Sequence, residues 1–270
     1  MEAIQSQIVF LKLGGSLITD KNTPMTANRA VINRLAGEIA ASRRANPALR
    51  LVIGHGSGSF GHVAAHKYAT YQGSRTAQEW LGFAEVWQAA RMLNQIVLES
   101  LYAAGLPVIA FPPSAGMITD RRKVIRNNFE PLQKAITNGL IPMVNGDVVF
   151  DRDQGSTILS TEEVFCYLAP LLHPVRILLA GLEPGVWADF PACTHLAPLI
   201  TRSNLAQVAP GLSGSAAVDV TGGMAQKVST MLSLTSEVPN LEVLIFSGSQ
   251  PGLLQKALEG AAAAGTLLKA

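Results

Sequence analysis

Residues 54–62 read GHGSGSFGH and come directly after an apolar run at residues 49–53. Such a run is typical of a buried strand, and the residues after the glycines have a helical period. Glycines at this kind of turn let backbone N–H groups close around an anion, and His62 ends the stretch where its ring can donate to one. The stretch therefore predicts an α/β fold with a phosphate site where a strand ends.

The same loop also matches a dinucleotide fingerprint. Gly56, Gly58 and Gly61 have the spacing GxGxxG between a strand and a helix. The fingerprint also requires an acidic residue at the end of a second strand, about 20 residues on, to hold a ribose. Glu79 lies near that distance but in a segment of helical period. A nicotinamide-dependent oxidoreductase is therefore the weaker hypothesis.

Outward from this loop, apolar runs alternate with longer stretches of helical period, as in parallel strands joined by helices. The predicted strands are residues 8–13, 49–53, 108–111, 117–126 as a hairpin, 141–150, 156–159, 175–179 and 243–246. The predicted helices are residues 27–45, 77–104, 161–172 with Thr161 as the cap, 224–235, and one that begins at residue 253. The pattern restarts after Pro174, so we predict two lobes, 1–174 and 175–270, that share one continuous sheet and face one cleft.

Composition excludes several classes of protein. The 270 residues are 48% hydrophobic and 15% charged, which is enough for a large core. The 21 basic and 19 acidic residues form no broad basic face, so nucleic acid is not an expected partner. No apolar run approaches the about 20 residues of a membrane span, and we expect a cytoplasmic protein without a membrane anchor. Cys166 and Cys193 lack metal-ligand spacing and are expected to be free thiols.

Two further glycine turns carry nearby lysines. Residues 12–16 read KLGGS, so that Lys12 ends a strand and the amides after it can bind phosphate, and Lys21 follows nine residues later. Residues 221–227 read TGGMAQK, which places Lys227 near a helix start that favours an anion over a cation. Each turn alone is also compatible with an ordinary turn and a solvated lysine. Together, in a chain without the Walker pattern, they predict a phosphoryl-transfer enzyme that is not a P-loop protein.

These motifs, with ITDK at residues 18–21 and NGDVV at 145–149, resemble the amino acid kinase family along essentially the whole chain. The histidine that closes the glycine loop and the paired lysines resemble the branch of the family that phosphorylates isopentenyl phosphate. The resemblance implies a three-layer αβα sandwich with an open, mainly parallel central sheet of about eight strands. It also implies an acceptor-binding N-terminal lobe, a nucleotide-binding C-terminal lobe and a homodimer. The implied reaction uses ATP and Mg²⁺ to convert an isoprenoid monophosphate to its diphosphate.

The resemblance also assigns roles to individual residues. Lys12 and Lys227 would neutralise the β- and γ-phosphates of ATP, and Lys21 would follow the transferred phosphoryl group. His62 would hydrogen-bond the phosphate of the acceptor, and Asp147 would orient the lysines. The implied nucleotide-binding positions are Lys12, Gly14, Gly15, Ser16, Gly58, Gly223 and Lys227. The implied acceptor-binding positions are Gly56, Ser57, His62 and Gly146. No metal-ligating residue is implied.

Physical chemistry supports this assignment independently. Phosphoryl transfer depends mostly on positioning and charge neutralisation, for which lysines and a metal ion are suitable. A phosphate monoester, with a second pKa of about 6, is already an anion at neutral pH. No general base is then required, and His62 acts as a hydrogen-bond donor. The other histidines, His55, His66, His173 and His195, are interpreted as structural.

The chain departs from the family pattern at three places, of which Ser57, where the family often has glycine, is the mildest. Leu182 stands where many relatives have an aspartate that binds nucleotide, so the nucleotide is expected to rely on backbone contacts or on Glu183. Residues 160–163 read STEE where relatives often have SGDD, and these carboxylates suit either metal binding or helix capping. Leu182 leaves open a non-catalytic nucleotide sensor. Similar motifs and an equally anionic acceptor leave open a fosfomycin-type phosphonate kinase. Trp80, Phe83 and Trp87 share one helix face, which suits a core or dimer stripe better than a pocket for an isoprenoid tail.

Overall fold

The computed structural model describes residues 7–68, 70–212, 223–261 and 264–270. Their strands are β1 (Ile8–Leu13), β2 (Arg50–His55), β3 (Val108–Ala110), β4 (Met117–Asp120), β5 (Lys123–Asn127), β6 (Ile141–Asn145), β7 (Asp147–Asp151), β8 (Gly155–Leu159), β9 (Arg176–Gly181), β10 (Leu199–Ile200), β11 (Glu242–Ser247) and β12 (Thr266–Leu268). Their helices are α1 (Gly15–Ile18), α2 (Arg29–Ala45), α3 (Gly58–Lys67), α4 (Ala77–Ala103), α5 (Pro113–Gly116), α6 (Glu130–Thr137), α7 (Thr161–Leu172), α8 (Leu205–Leu212), α9 (Gly223–Glu237) and α10 (Leu253–Leu258), with a 3₁₀ turn at Thr70–Gln72.

The central sheet has eight strands in the order β10-β12-β11-β9-β1-β2-β6-β3. Its neighbours are parallel except for β11 and β12, which are antiparallel. The inner strands are buried on both faces, because helices cover the sheet on each side. The predicted αβα sandwich with an open, mainly parallel sheet of about eight strands is therefore confirmed.

Alternation along β1 assigns its side chains to the two helical layers. Val9 and Leu11 belong to a core that includes Ile32 of α2, whereas Phe10 belongs to a core that includes Phe165 of α7. The rings of Phe10 and Phe165 lie 4.9 Å apart. Since successive side chains of a strand point to opposite faces, Lys12 follows Phe10 onto the α7 side of the sheet. This parity places one predicted catalytic lysine beside α7.

A second sheet has four strands in the order β5-β4-β7-β8. The chain enters its strand β7 directly after β6 of the central sheet. The apolar run at residues 141–150 was predicted as one strand, and this prediction is wrong. The chain breaks at Gly146, with β6 in the central sheet and β7 in the second. The predicted hairpin at 117–126 is β4 and β5, which are antiparallel.

Most predicted elements occur within a few residues of their expected bounds, but short ones were missed. The longer helices α2, α4 and α7 begin at polar caps, as when Asn28 accepts from the N–H of Val31 at the start of α2. The edge strands β10 and β12 have two and three residues, too few for a clear period. β1 pairs with both β2 and β9, so the central sheet is continuous across residue 174, and the two-lobe division stays a prediction.

Two compositional expectations have structural counterparts. Among the described residues, no helix combines the length and apolarity of a membrane span. Cys166 and Cys193 are free thiols, as predicted.

Candidate active site

The site begins where β1 and β2 end side by side in two glycine turns. Leu13 pairs with His55 at the ends of the two strands. A Cβ on Gly15 would overlap the backbone nitrogen of Gly58, and a Cβ on Gly56 would lie 2.8 Å from the backbone nitrogen of Gly15. Gly58 also has a φ of +48°, which favours glycine. The sequence predicted phosphate-binding turns, and the structure brings them into direct backbone contact.

Thr19 fastens these two turns together. Its buried hydroxyl donates to the carbonyl oxygen of Gly15 at 2.8 Å and accepts from the backbone N–H of Ser59 at 3.0 Å. The sequence reasoning missed this residue. A hydroxyl four residues after Gly15 is the local signal for a bond to that carbonyl.

Two predicted lysines meet at a carboxylate that the sequence did not single out. Lys12 of β1 donates to the buried carboxylate of Glu162 in the first turn of α7. The Nζ of Lys227 in α9 lies 4.0 Å from the other oxygen of Glu162. One carboxylate therefore contacts two lysines that lie more than 200 positions apart in the chain.

The charges around Glu162 set its protonation. Burial alone would raise its pKa, but the positive charges of Lys12 and Lys227 and the bond from Lys12 lower the pKa below its ordinary value. Glu162 is thus a carboxylate at neutral pH. It reduces the repulsion between two cations that would otherwise face each other.

The neighbouring carboxylate has a different task. Ser160 caps α7 by accepting from the N–H of Glu163 at 3.1 Å, and Glu163 accepts in return from the N–H of Ser160 at 2.7 Å. The prediction of Thr161 as the cap is wrong, because its side chain does not face the helix end. The hydroxyl of Thr161 donates instead to the carbonyl of His55 at 2.6 Å.

A cavity of about 430 Å³ opens beside the Lys12, Glu162 and Lys227 cluster. Its charged and polar lining includes Arg122, Glu163 and Gln226, and its apolar lining includes Ala65 and Ile158. Remaining described residues of the lining are Tyr71, Ser160, Glu162, Gly223, Lys227 and Thr230. The cavity therefore combines charged side chains with an apolar wall formed by Ala65 and Ile158.

His55 supports the second glycine turn from inside the core. Its ring is buried and lies 3.0 Å from both the carbonyl oxygen of Gly56 and Oδ1 of Asn94. Burial lowers the pKa of His55, and the charge of Lys12 adds to this effect. A neutral ring that holds the turn agrees with its structural interpretation.

Gly146 and Asp147 lie at the break between the two sheets. The N–H of Gly146 donates to the carbonyl of His55 at 3.2 Å, which places the predicted acceptor-side glycine next to the second turn. The buried carboxylate of Asp147 accepts from the N–H groups of Ser114 at 3.2 Å and Val148 at 2.9 Å. Burial raises the pKa of Asp147 to about 6 against these hydrogen bonds. Among the described residues no ion pair joins Asp147 to a lysine, so its orienting role stays a prediction.

The structure places the remaining predicted site residues in α9, in α3, in the loop after α1, and in or next to the two glycine turns. Gly223 begins α9 with a φ of +66° and lines the cavity, whereas Thr221 and Gly222 lie outside the described residues. His62 lies in α3, but its side chain is outside the described part of the chain. Lys21 is exposed in the loop after α1, and its catalytic role stays a prediction. The remaining predicted positions, Gly14, Ser16 and Ser57, lie in or next to the two glycine turns.

The loop after β9 contains the departure from the family pattern. Leu182 is 40% exposed, and its carbonyl accepts from the hydroxyl of Ser247 at 3.1 Å. The carboxylate of Glu183 accepts from the indole N–H of Trp187 at 2.9 Å. The N–H of Gly14 donates to the carbonyl of Ala180 near the end of β9 at 2.8 Å, so this loop begins next to the first glycine turn. A contribution of Glu183 to nucleotide binding stays a prediction.

The aromatic residues of α4 lie behind the cavity wall. Phe83 packs with the small cluster that contains Ala65 and Ile158 of that wall. Trp80 and Phe83 also contact Phe150, with ring centroids 5.9 and 4.9 Å away. These contacts support the interpretation of a packing stripe for Trp80 and Phe83.

The described residues contain no preformed metal-binding site. Among them, no group of three or more His, Cys, Asp or Glu side chains is arranged to hold a metal ion. Of the buried carboxylates Glu162 and Asp147, the first is already engaged with two lysines and the second with backbone N–H groups. The residues therefore do not fit a resident metal ion held by the protein alone.

Comparison with known proteins agrees with this geometry. The model of the amino acid kinase family matches residues 7–247. A curated isopentenyl phosphate kinase of Methanothermobacter thermautotrophicus is 31% identical over 268 residues, which cover 96% of this chain and 98% of the relative. One of Methanocaldococcus jannaschii is 29% identical and covers 94% and 95%. X-ray structures of isopentenyl phosphate kinase superimpose with a TM-score of 0.82 at 27% identity, over 97% of this chain and 100% of theirs.

Proposed function

Because this chain belongs to the amino acid kinase family, we propose that it transfers the γ-phosphoryl group of ATP to isopentenyl phosphate. The products are isopentenyl diphosphate and ADP. The observation that carries the proposal is the pairing of Lys12 and Lys227 through Glu162, beside two interlocked glycine turns. The names of the relatives support the choice of acceptor.

The lysines would act on the charge of the transferring group. An oxygen of the acceptor phosphate forms the new bond to the γ-phosphorus, while the bond to the β,γ-bridging oxygen breaks and its electron pair leaves with ADP. Lys12 and Lys227 would neutralise the phosphate oxygens around this phosphorus. Glu162 keeps both ammonium groups in place before the nucleotide enters. Lys21 would move with the transferred group.

The acceptor needs a hydrogen-bond donor but no general base. Its phosphate, with a second pKa of about 6, is an anion at neutral pH. His62 would donate to this anion, with Gly56, Ser57 and Gly146 close to it. The apolar wall formed by Ala65 and Ile158 would receive the isoprenoid tail.

Mg²⁺ would bind to the site as a complex with ATP. Magnesium is usually held by substrate phosphates, waters and one or two carboxylates rather than by a protein cage. The absence of an acidic cage among the described residues suits MgATP as the co-substrate. We also propose a homodimer, a nucleotide-binding C-terminal lobe and a cytoplasmic location, in line with the family resemblance.

A coupled ADP-release assay tests the acceptor. We expect turnover with isopentenyl phosphate to exceed turnover with geranyl phosphate and fosfomycin, with dimethylallyl phosphate as a further acceptor. Phosphorus NMR should show the diphosphate product. Faster turnover of fosfomycin than of isopentenyl phosphate would replace this proposal by the phosphonate kinase, and ATP binding without ADP release for any acceptor would support the nucleotide sensor.

The role of His62 has its own test. His62→Ala should raise the KM for isopentenyl phosphate and lower kcat/KM about 100-fold, because a charge-assisted hydrogen bond to the acceptor is lost. The KM for ATP should change less than threefold. Undiminished kcat/KM in the purified variant would contradict the role assigned to the ring.

A further inference from the structure

The turn between β4 and β5 has an unusual backbone for its sequence. Its central residues are Arg121 and Arg122, with φ values of +48° and +67°. Two-residue turns of this kind favour Gly, which lacks a Cβ, and Asn, whose short polar side chain tolerates the left-handed region, whereas longer side chains are strained there. Two arginines at these positions break the local rule, and such conflicts concentrate at functional sites.

A buried carboxylate holds this turn in place. Asp151, at the end of β7, accepts from the backbone N–H of Arg122 at 2.8 Å and from the hydroxyl of Thr119 at 2.7 Å. The same side chain accepts from the N–H groups of Asp153 and Gln154 at 3.0 and 3.1 Å. The position of Arg122 is therefore fixed by the sheet and does not depend on its own side chain.

The two arginines differ in where they lie. Arg122 lines the cavity that also contains Glu162 and Lys227, whereas Arg121 is absent from its described lining. The Nη2 of Arg122 lies 3.7 Å from Oε1 of Glu163, and both side chains are more than a third exposed. An ion pair of this length and exposure is weak, so the guanidinium can exchange it for a stronger partner. A phosphate suits the planar fork of arginine better than a single carboxylate oxygen at this distance.

We propose that Arg122 is a phosphate-binding residue of this site, which leaves Glu163 and binds an anionic phosphate of a substrate in the cavity. The proposal rests on the proposed kinase function. The phosphate belongs either to the acceptor or to the nucleotide, and the KM values for the two substrates distinguish them.

The test compares two substitutions that relieve the same backbone strain. Arg122→Gly and Arg121→Gly each place a glycine at a positive φ, so both variants should be at least as stable as the wild type in thermal unfolding. Arg122→Gly should raise one of the two KM values about 10- to 100-fold, the range for a lost hydrogen bond to a charged group. Arg121→Gly should leave both KM values within twofold. Arg122→Lys should fall between, since it keeps the charge but loses the fork.

Calorimetry separates this proposal from the proposed function. Isothermal titration measures the affinity of each variant for isopentenyl phosphate alone and for ATP alone. Arg122→Gly should weaken one of these two affinities, whereas Arg121→Gly should weaken neither. Equal binding and equal KM values for the two glycine variants would overturn the role of Arg122 while wild-type turnover of isopentenyl phosphate stands. If the wild type does not turn over isopentenyl phosphate, the proposed function fails, and weaker ATP binding in Arg122→Gly would still support the phosphate contact.

Discussion

The ammonium groups of Lys12 and Lys227 both lie near the carboxylate of Glu162, which lines the cavity. Without that carboxylate, Lys12 and Lys227 would repel each other and leave the positions in which they can both meet one nucleotide. A buried ion pair is a poor source of net stability, because desolvation offsets much of the attraction. The arrangement is better explained by the positioning of the lysines.

Substitution of Glu162 tests this positioning. Glu162→Gln should lower kcat/KM by about 10- to 100-fold and the free energy of unfolding by up to about 3 kcal/mol, because Lys12 and Lys227 lose the charge of the buried carboxylate that they share. Glu162→Asp should recover part of both, since it keeps the charge. Steady-state kinetics and urea unfolding measure the two effects.

Glu38 provides the matched control. It is a buried carboxylate paired with Arg34 at 2.6 Å, away from the described lining of the cavity. Glu38→Gln should destabilise the protein but leave kcat/KM within threefold. Equal losses of activity in Glu162→Gln and Glu38→Gln would show that Glu162 acts through stability alone.

At this scale the sequence predicted the local part of the site. Lys12 and the glycines could be predicted because their signal lies within a few residues. Glu162 could not be separated from Glu163, since one contacts lysines from two distant elements and the other caps its own helix. Arg122 was equally hidden, because its contact with Glu163 depends on how the hairpin returns to α7.

Among the structural elements, the two glycine turns act as one unit. Gly15 touches the backbone of Gly58, and the hydroxyl of Thr19 links the two turns. A methyl group at this contact cannot be accommodated by a side-chain movement, because it meets backbone atoms. The two glycine turns can therefore approach this closely only because Gly15 and Gly58 have no side chains.

Alanine at two glycines should have opposite effects. Gly15→Ala should separate the turns, lower the melting temperature and reduce kcat/KM at least about 10-fold, since misplaced phosphate contacts are costly. Gly37 lies exposed in α2 with no atom near its hypothetical Cβ. Gly37→Ala should stabilise the protein by about 0.5–1 kcal/mol through helix propensity and leave activity unchanged. Thermal unfolding and ADP release measure both variants, and full activity in Gly15→Ala would contradict the interlocked arrangement.

The misprediction of a single strand at residues 141–150 has a physical cause. β6 and β7 are both buried, so the run at 141–150 reads as one strand although it changes sheets at Gly146. The local pattern reports burial but not the sheet to which a strand belongs. Helical boundaries were predicted more closely, because capping residues such as Asn28 mark them locally.

Across the whole molecule, the two predicted lobes share one sheet. β9, beyond residue 174, pairs with β1, and the core around Phe10 includes both Val52 and Ile177. Neither predicted lobe thus has a core of its own on that face of the sheet. The two predicted lobes are therefore expected to unfold together, and a single buried charge changes the free energy of unfolding of the whole chain.

The pH dependence of this stability contains an opposing pair of carboxylates on β7. Burial raises the pKa of Asp147, at its start, to about 6 from an ordinary value of 3.8. At the other end, burial would raise the pKa of Asp151, but hydrogen bonds led by the N–H of Arg122 lower it below its ordinary value. Between about pH 4 and pH 6 the folded chain binds more protons at Asp147 than the unfolded chain does. The contribution of Asp147 to stability therefore falls as the pH rises from below about pH 4 to above about pH 6, by about 3 kcal/mol in total.

Urea unfolding of Asp147→Asn from pH 4 to pH 7 measures this contribution. The free energy of unfolding of the wild type, minus that of Asp147→Asn, should decrease by about 2 kcal/mol from pH 4 to pH 7, because the rest of the change falls below pH 4. For Asp151→Asn the same difference, followed from pH 2 to pH 7, should increase with pH below about pH 5 and then stay level, because a carboxylate with a lowered pKa stabilises the fold only where it is ionised. A shared loss of packing would shift both differences by a constant and leave their slopes at zero. A falling difference for Asp147 above about pH 4 and a rising difference for Asp151 below about pH 5 would follow from their different surroundings, and slopes of the same sign would contradict this account of β7.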